Sequence, residues 1–291
     1  MEKAKMASLI KLLDDPDRMI FETIEKLLIE AGTDIVPELE KSWEGHFNEL
    51  LQERVENLIH TVQQNQVKEK LQEWVNGGAS DLLEGVFWLA RSQFPDLELD
   101  EVDNAIEKIK QDVWLELAPN LTALETVKIL NHIIFEVHKF SGNISNYYSP
   151  KNSYINQVLE LKKGNPISVA IVYILVAQRI GIPIYGVNLP KNFILAYKDE
   201  VNSIKTFEED ENDSVLFYIN PFNRGAVFGS KEIDYFVRQQ KIQKQKSFYV
   251  PCGNIEIVQR VILNLIVSYE KLAHSEKIND LQDLFKILKI D

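Results

Sequence analysis

Five histidines, one cysteine and a few asparagines set beside prolines are the side chains from which this sequence could build chemistry. A serine or cysteine nucleophile needs a base within reach, usually histidine, held by a carboxylate or amide. The histidines are His46, His60, His132, His138 and His274, and none falls in the long apolar and mixed segment between the last two. His132 and His138 sit in a helical pattern and read as surface or satisfied core residues. Cys252 follows Pro251 in the apolar stretch FYVPCG, which points to inert burial. Ser168 lies one turn into the most apolar helix and reads as a capping or packing serine. These two are the only alternative nucleophiles the pattern offers.

Metal and phosphate chemistry have no motif. HExxH, CxxC and His–carboxylate clusters at ligand spacing are missing, as are a Walker loop and GxGxxG, so neither a metal nor a cofactor is expected. The basic run FVRQQKIQKQK, with Arg238, Lys241, Lys244 and Lys246, lacks interleaved aromatics and reads as solvated surface. The acidic run KDEVNSIKTFEEDENDS reads as a solvated hairpin loop, and its spacing matches no EF-hand. What remains are Asn165 before Pro166, Asn192 after Pro190-Lys191, and Asn220 before Pro221. Each has a local explanation. Asn165 suits an N-cap and Pro166 a first helical position, while Asn220-Pro221 suits a turn at a strand end.

The elements that would position these residues follow from periodicity. Leu27, Leu28, Ala31, Ile35, Leu39 and Trp43 recur at helical spacing, broken by Gly32-Thr33-Asp34, and LLDDPDRMIFETIEKLLIEAGTDIVPELEKSWE resembles one HEAT helical pair. A longer helix is expected from about Phe47 to Val75, ended by Gly77-Gly78. Three helices should follow, the third opened by a Thr122–Glu125 capping box and running to about Phe140. The loop SGNISNYYSPKN separates them from the apolar helix at Pro166. After Gly181-Ile182-Pro183 the period becomes two, and three antiparallel strands are expected at Ile184–Leu189, Phe193–Tyr197 and Val215–Ile219. From about Asn254 a helical hairpin, similar to a tetratricopeptide pair, closes the chain.

The 291 residues carry a net charge of -12, which argues against a general nucleic-acid or anionic-membrane surface. The central apolar run Val169–Ala177 is far too short to span a bilayer, and the first residues lack the pattern of a signal peptide. A single cysteine fits a reducing compartment. A cytoplasmic protein, with neither nucleic acid nor membrane as partner, is the expectation.

The string NYYSPKNSYINQVLELKKGNPISVAIVYILVAQRIGIPIYGVNLPKNF, followed by INPFNRG, resembles the SirB family of transglutaminase-like proteins over roughly Leu83 to Gly225. The resemblance implies an α+β, transglutaminase-like (papain-like cysteine-protease) core with a small antiparallel sheet, flanked by helical N- and C-terminal segments. It also implies a frame for a Cys–His–Asp triad. The helix entry G-x-C appears as Gly164-Asn165-Pro166, P-G-H-F as Pro190-Lys191-Asn192-Phe193, and D-P-F as Asn220-Pro221-Phe222. Pro166, Asn192 and Asn220 therefore stand at the three triad positions, and no residue is assigned a catalytic role.

Three segments are expected: a helical 1–78, a transglutaminase-like core 79–250 and a helical hairpin 251–291. The leading functional expectation is a non-catalytic binding or regulatory protein with an unidentified protein or peptide partner. Its cleft would be lined by Asn165, Pro166, Ser168, Asn192 and Asn220. One alternative is an amide or acyl hydrolase or transferase using Ser168 or Cys252, and another is a helical interaction scaffold.

Overall fold

The computed structural model describes residues 3–44, 49–198 and 214–289. The acidic run centred on 199–213 and His46 lie outside these residues. The chain divides into two compact units, Met1–Glu73 and Trp74–Asp291.

In the first unit, α1 (Lys3–Lys11), α2 (Arg18–Glu30), α3 (Val36–Glu44) and most of α4 (Glu49–Asn76) bury one apolar stripe each. Asp17 starts α2 by accepting the Met19 N–H at 2.8 Å, which satisfies one of the amides a helix start leaves open. Leu13, Leu28, Ile35, Leu39 and Val55 are fully buried in the shared core. Two members of the expected apolar series face outward instead: Leu27 and Trp43 are both 40% exposed. The Trp43 indole donates to Glu56 at 2.9 Å, so its polar edge is anchored at the surface. α2 and α3, the expected HEAT-like pair, are joined by a short 3-10 turn at Gly32–Ile35.

The division at Glu73 falls one turn ahead of Gly77-Gly78, where α4 ends with Gly78 at a φ of +87°. In the second unit come α5 (Leu82–Arg91), α6 (Leu99–Glu116) and α7 (Ala123–Asn131). The Thr122–Glu125 capping box starts α7 as expected, but the α-helix stops at Asn131 and a π-helical stretch, His132–Val137, continues it. Two short strands, β1 (Ser141–Gly142) and β2 (Lys163–Gly164), pair in parallel on either side of α8 (Ile155–Leu161). Next is α9 (Pro166–Arg179), in which every residue from Pro166 to Ala177 is buried. A helix apolar on all sides must be covered on all sides, and α6, α8, the sheet and the C-terminal hairpin surround it.

The sheet is an antiparallel meander, β3 (Ile184–Val187), β4 (Ile194–Lys198), β5 (Val215–Asn220) and β6 (Ala226–Phe228), hydrogen-bonded in that order. The first three match the expected strands. β6 and α10 (Ser230–Gln239) are additional, and the expected basic surface starts on α10. There Asp234 pairs with part of that surface, receiving Lys244 Nζ at 2.7 Å and the Tyr249 hydroxyl at 2.6 Å. α11 (Asn254–Leu272) and α12 (Ser275–Ile287) form the C-terminal hairpin, and α11 packs on α5 and α9 within the same compact unit. Among the described residues no helix is long and apolar enough to cross a membrane.

Candidate functional site

Gly164 ends β2 and Asn165 opens α9, so the turn between them decides what the helix start presents. Asn165 Oδ1 accepts the Ser168 N–H at 3.0 Å, and the Asn165 N–H donates to Ser168 Oγ at 3.0 Å. This reciprocal capping box satisfies two groups that a helix N-terminus otherwise leaves open. The Ser168 hydroxyl donates to the Asn152 carbonyl at 2.6 Å, and Asn165 Nδ2 donates to Ser153 Oγ at 2.8 Å. Asn165 and Ser168 are 6% and 1% exposed, and Pro166 is buried between them.

The residues that seal this start were not singled out by sequence reasoning. Asn152 and Ser153 come from the end of SGNISNYYSPKN and are themselves buried. Asn152 Nδ2 donates to the Asn146 and Tyr147 carbonyls at 2.7 and 2.9 Å, and its Oδ1 accepts from Asn143 at 2.9 Å. The available signal was compositional: four asparagines in and beside one loop, more than a solvated turn requires.

Asn220 ends β5 and its Oδ1 accepts the Asn223 N–H at 3.2 Å, closing the turn Pro221–Asn223. The Phe222 ring fills the space where a side chain on Gly142 would stand, and Gly142 pairs with Gly164 at the entry to α9. The Asn220 turn is thus a neighbour of the helix start. A second clamp holds its far side. Asn131 Nδ2 donates to the Gly225 carbonyl at 2.9 Å, and the buried Tyr173 hydroxyl donates to Asn131 Oδ1 at 3.0 Å. Asn192 precedes β4, with Lys191 before it at a φ of +61°. Its Oδ1 accepts the Phe193 N–H at 2.9 Å. Because β4 and β5 are antiparallel, with Leu195 level with Ile219, Asn192 and Asn220 stand at the same end of that strand pair. Both are half-buried. Of the five residues expected to line a cleft, Asn165, Pro166 and Ser168 are therefore closed into the interior, and only the two asparagines of the sheet are accessible.

The chemistry available here is narrow. Proline offers neither nucleophile nor N–H, and an amide neither gains nor loses a proton near neutral pH, so it cannot serve as acid or base. Ser168 has no histidine partner, and its proton is held by a backbone carbonyl. Cys252 sits before α11 with its N–H donating to the Gly186 carbonyl at 2.8 Å. Burial, with the nearby Glu256 charge adding to it, pushes its thiol up to about 12. A thiol at that value is almost wholly protonated near pH 7 and is a poor nucleophile. His132 shares a hydrogen bond with Glu136 at 3.2 Å and His138 with Asp112 at 2.7 Å, both outside the sheet. Among the described residues no three His, Cys, Asp or Glu side chains gather as metal ligands would.

The site thus presents a buried helix start packed beside an antiparallel sheet, with Asn192 and Asn220 at one end of the β4–β5 pair. The chain belongs to the transglutaminase-like superfamily, whose family model matches residues 100–263. It is 32% identical over 158 residues to a UPF0162 protein of Xylella fastidiosa (strain 9a5c), covering 54% of this chain and 51% of that protein. A UPF0162 protein of Vibrio cholerae is 23% identical over 149 residues, 51% of each chain. F-box only protein 21 of Mus musculus is 28% identical over 144 residues, 49% of this chain and 21% of that one. The matched region spans about half the length of the bacterial relatives and about a fifth of the mouse protein. No solved structure matches the chain.

Proposed function

We propose that this chain is a SirB-type, non-catalytic member of the superfamily, a binding module whose triad positions are Pro166, Asn192 and Asn220. The observation that carries the reading is the start of α9. The helix entry is kept, but a buried proline stands there and the adjoining hydroxyl is bonded inward to Asn152. Superfamily chemistry of the Cys–His–Asp kind requires a thiolate beside an acid–base group, and Pro166 with two amides supplies neither. The half-buried Asn192 and Asn220 keep a polar end on the β4–β5 pair, suited to hydrogen-bonding a peptide or polar partner. A core of papain-like layout is part of this reading. Two features weigh against an enzyme using another residue: the sealed Ser168 and the protonated Cys252.

The test is incorporation of a labelled amine into a glutamine-containing protein, with hydrolysis of a peptide library measured alongside. The reading expects neither activity above background. Turnover that disappears in Cys252→Ala or Ser168→Ala would overturn it.

A further inference from the structure

Val250, Pro251 and Cys252 lead into α11, where Gly253 is the N-cap and donates its N–H to Glu256 Oε2 at 2.8 Å. One turn along the same face stands Arg260. Glutamate followed four residues later by arginine is the favourable order for an ion pair on a helix. Here the pair does not form. Glu256 turns back to cap its own helix, while Arg260 reaches to the β3–β4 connection and donates from Nη1 to Asn188 Oδ1 at 3.0 Å. Among the described residues Arg260 has no carboxylate partner.

The two opposite charges instead line one cleft of about 460 Å³, with Asn188 on one wall and Gln245, Ser247 and Cys252 on others. That volume is of the size that takes a small molecule. Arg260 is half-buried; burial lowers its guanidinium from the usual value, and the neighbouring Tyr147 acts in the opposite direction. A guanidinium has five donors in a planar fork suited to a carboxylate, and the Asn188 contact occupies one of its two terminal nitrogens. Glu256 Oε1 has no hydrogen-bond partner among the described residues. A dianion such as phosphate would meet the Glu256 charge, whereas a ligand with both signs would meet both groups.

We propose that this cleft binds a small aminocarboxylate, its carboxylate on Arg260 and Asn188 and its ammonium on Glu256. The cleft shares no residue with the start of α9, so the proposal stands whether or not that start is inert.

Cys252 is the chain's only cysteine and lines the cleft, so its alkylation rate reports occupancy. The full chain is treated with iodoacetamide at pH about 8.5, where an alkylammonium stays protonated. Glycine, β-alanine and 4-aminobutyrate are the probes, and acetate, ethylamine and inorganic phosphate the controls. Protection scales as one plus the ratio of ligand to Kd, so alkylation slows about tenfold at nine times Kd. The expected result is saturable protection by at least one aminocarboxylate and none by the controls at equal concentration. Arg260→Met should abolish it. Glu256→Gln, which keeps the capping contact because glutamine serves there too, should remove the advantage of aminocarboxylates over acetate. The readout within each variant is the ratio of rates with and without ligand, and if Arg260→Met fails to fold the glutamine variant decides. Protection by no aminocarboxylate, equal protection by acetate or phosphate, or full protection retained in Glu256→Gln would each overturn the proposal.

Discussion

α9 and α11 lie in the same compact unit, and at each start the third helical residue's side chain accepts the N-cap N–H, yet the two starts are opposites. At α9 the capping pair is buried, and both its members make further bonds to Asn152 and Ser153. At α11 the capping glutamate is exposed, and the arginine one turn on faces a cleft with a neutral amide as its partner. A helix start whose polar atoms are all bonded inward contributes stability and rigidity. One whose charged atoms keep unused valences has interactions left to offer a ligand. The difference lies in what packs over the charged or polar atoms of each start: the asparagine-rich loop covers those of α9, whereas Glu256 and Arg260 of α11 share an open cleft with residues of the Lys246–Phe248 turn and the β3–β4 connection.

The sharpest way to break this contrast is to add one methyl group at each end. A Cβ on Gly164 would collide with Ser168 Oγ and approach Val169 Cγ2 to 3.1 Å, and no side chain nearby is free to yield. Gly164→Ala should therefore destabilise the fold by about 1–3 kcal/mol, the usual cost of overpacking, and toward the upper end because the clash is close. A Cβ on Gly253 would meet nothing nearer than Glu256 Oε2 at 3.7 Å. Gly253→Ala should cost under about 1 kcal/mol, the loss expected for alanine at an N-cap. Urea denaturation of both variants checks the pair, and equal costs would remove the distinction.

Cys252 gives a smaller and different signal. With its thiol raised to about 12 by burial and by Glu256, alkylation should climb with pH through pH 10 without levelling. At pH 8 only about one thiol in 10⁴ is then thiolate, so the rate should rise about tenfold per pH unit. A plateau near pH 8–9, followed by mass spectrometry, would mean an ordinary or activated thiol.

The smallest effect concerns Asp234 on α10. The Lys244 and Tyr249 hydrogen bonds hold the Asp234 carboxylate below its usual range. A carboxylate lowered on folding contributes stability above its unfolded value, and the contribution is lost as pH falls through the folded one. The window is thus below about pH 4. Asp234→Asn should flatten the acid limb of the stability profile slightly, because the group is exposed to solvent and screening. An unchanged acid limb would remove Asp234 from the account.

Much of this was legible in the sequence because it rests on short-range rules. Asn165-Pro166 announced an N-cap and first helical residue, Thr122 and Glu125 a capping box, and Gly181-Ile182-Pro183 the change to strands. Asn220-Pro221 likewise announced the turn that ends β5. Side-chain direction was not legible. Nothing local in SYINQ or SPKNS says that Asn152 and Ser153 turn under α9, because those contacts bridge residues 12 and 16 apart. The π-helical stretch after Asn131 escaped because its apolar spacing still fits an ordinary helix. Glu256 and Arg260 were invisible as a site for the opposite reason: at that spacing they read as a surface ion pair, and only the pull of Asn188 and Gly253 separates them.

Ser168→Ala tests the central claim most directly, that the start of α9 is structural and not reactive. The substitution leaves the Asn165 N–H without its Ser168 acceptor and removes the bond to the Asn152 carbonyl in a buried setting. The account predicts a loss of about 1–3 kcal/mol in urea denaturation, with amine-transfer and hydrolytic activity at background in both proteins. Unchanged stability, together with an activity present in the parent and lost in the variant, would contradict it.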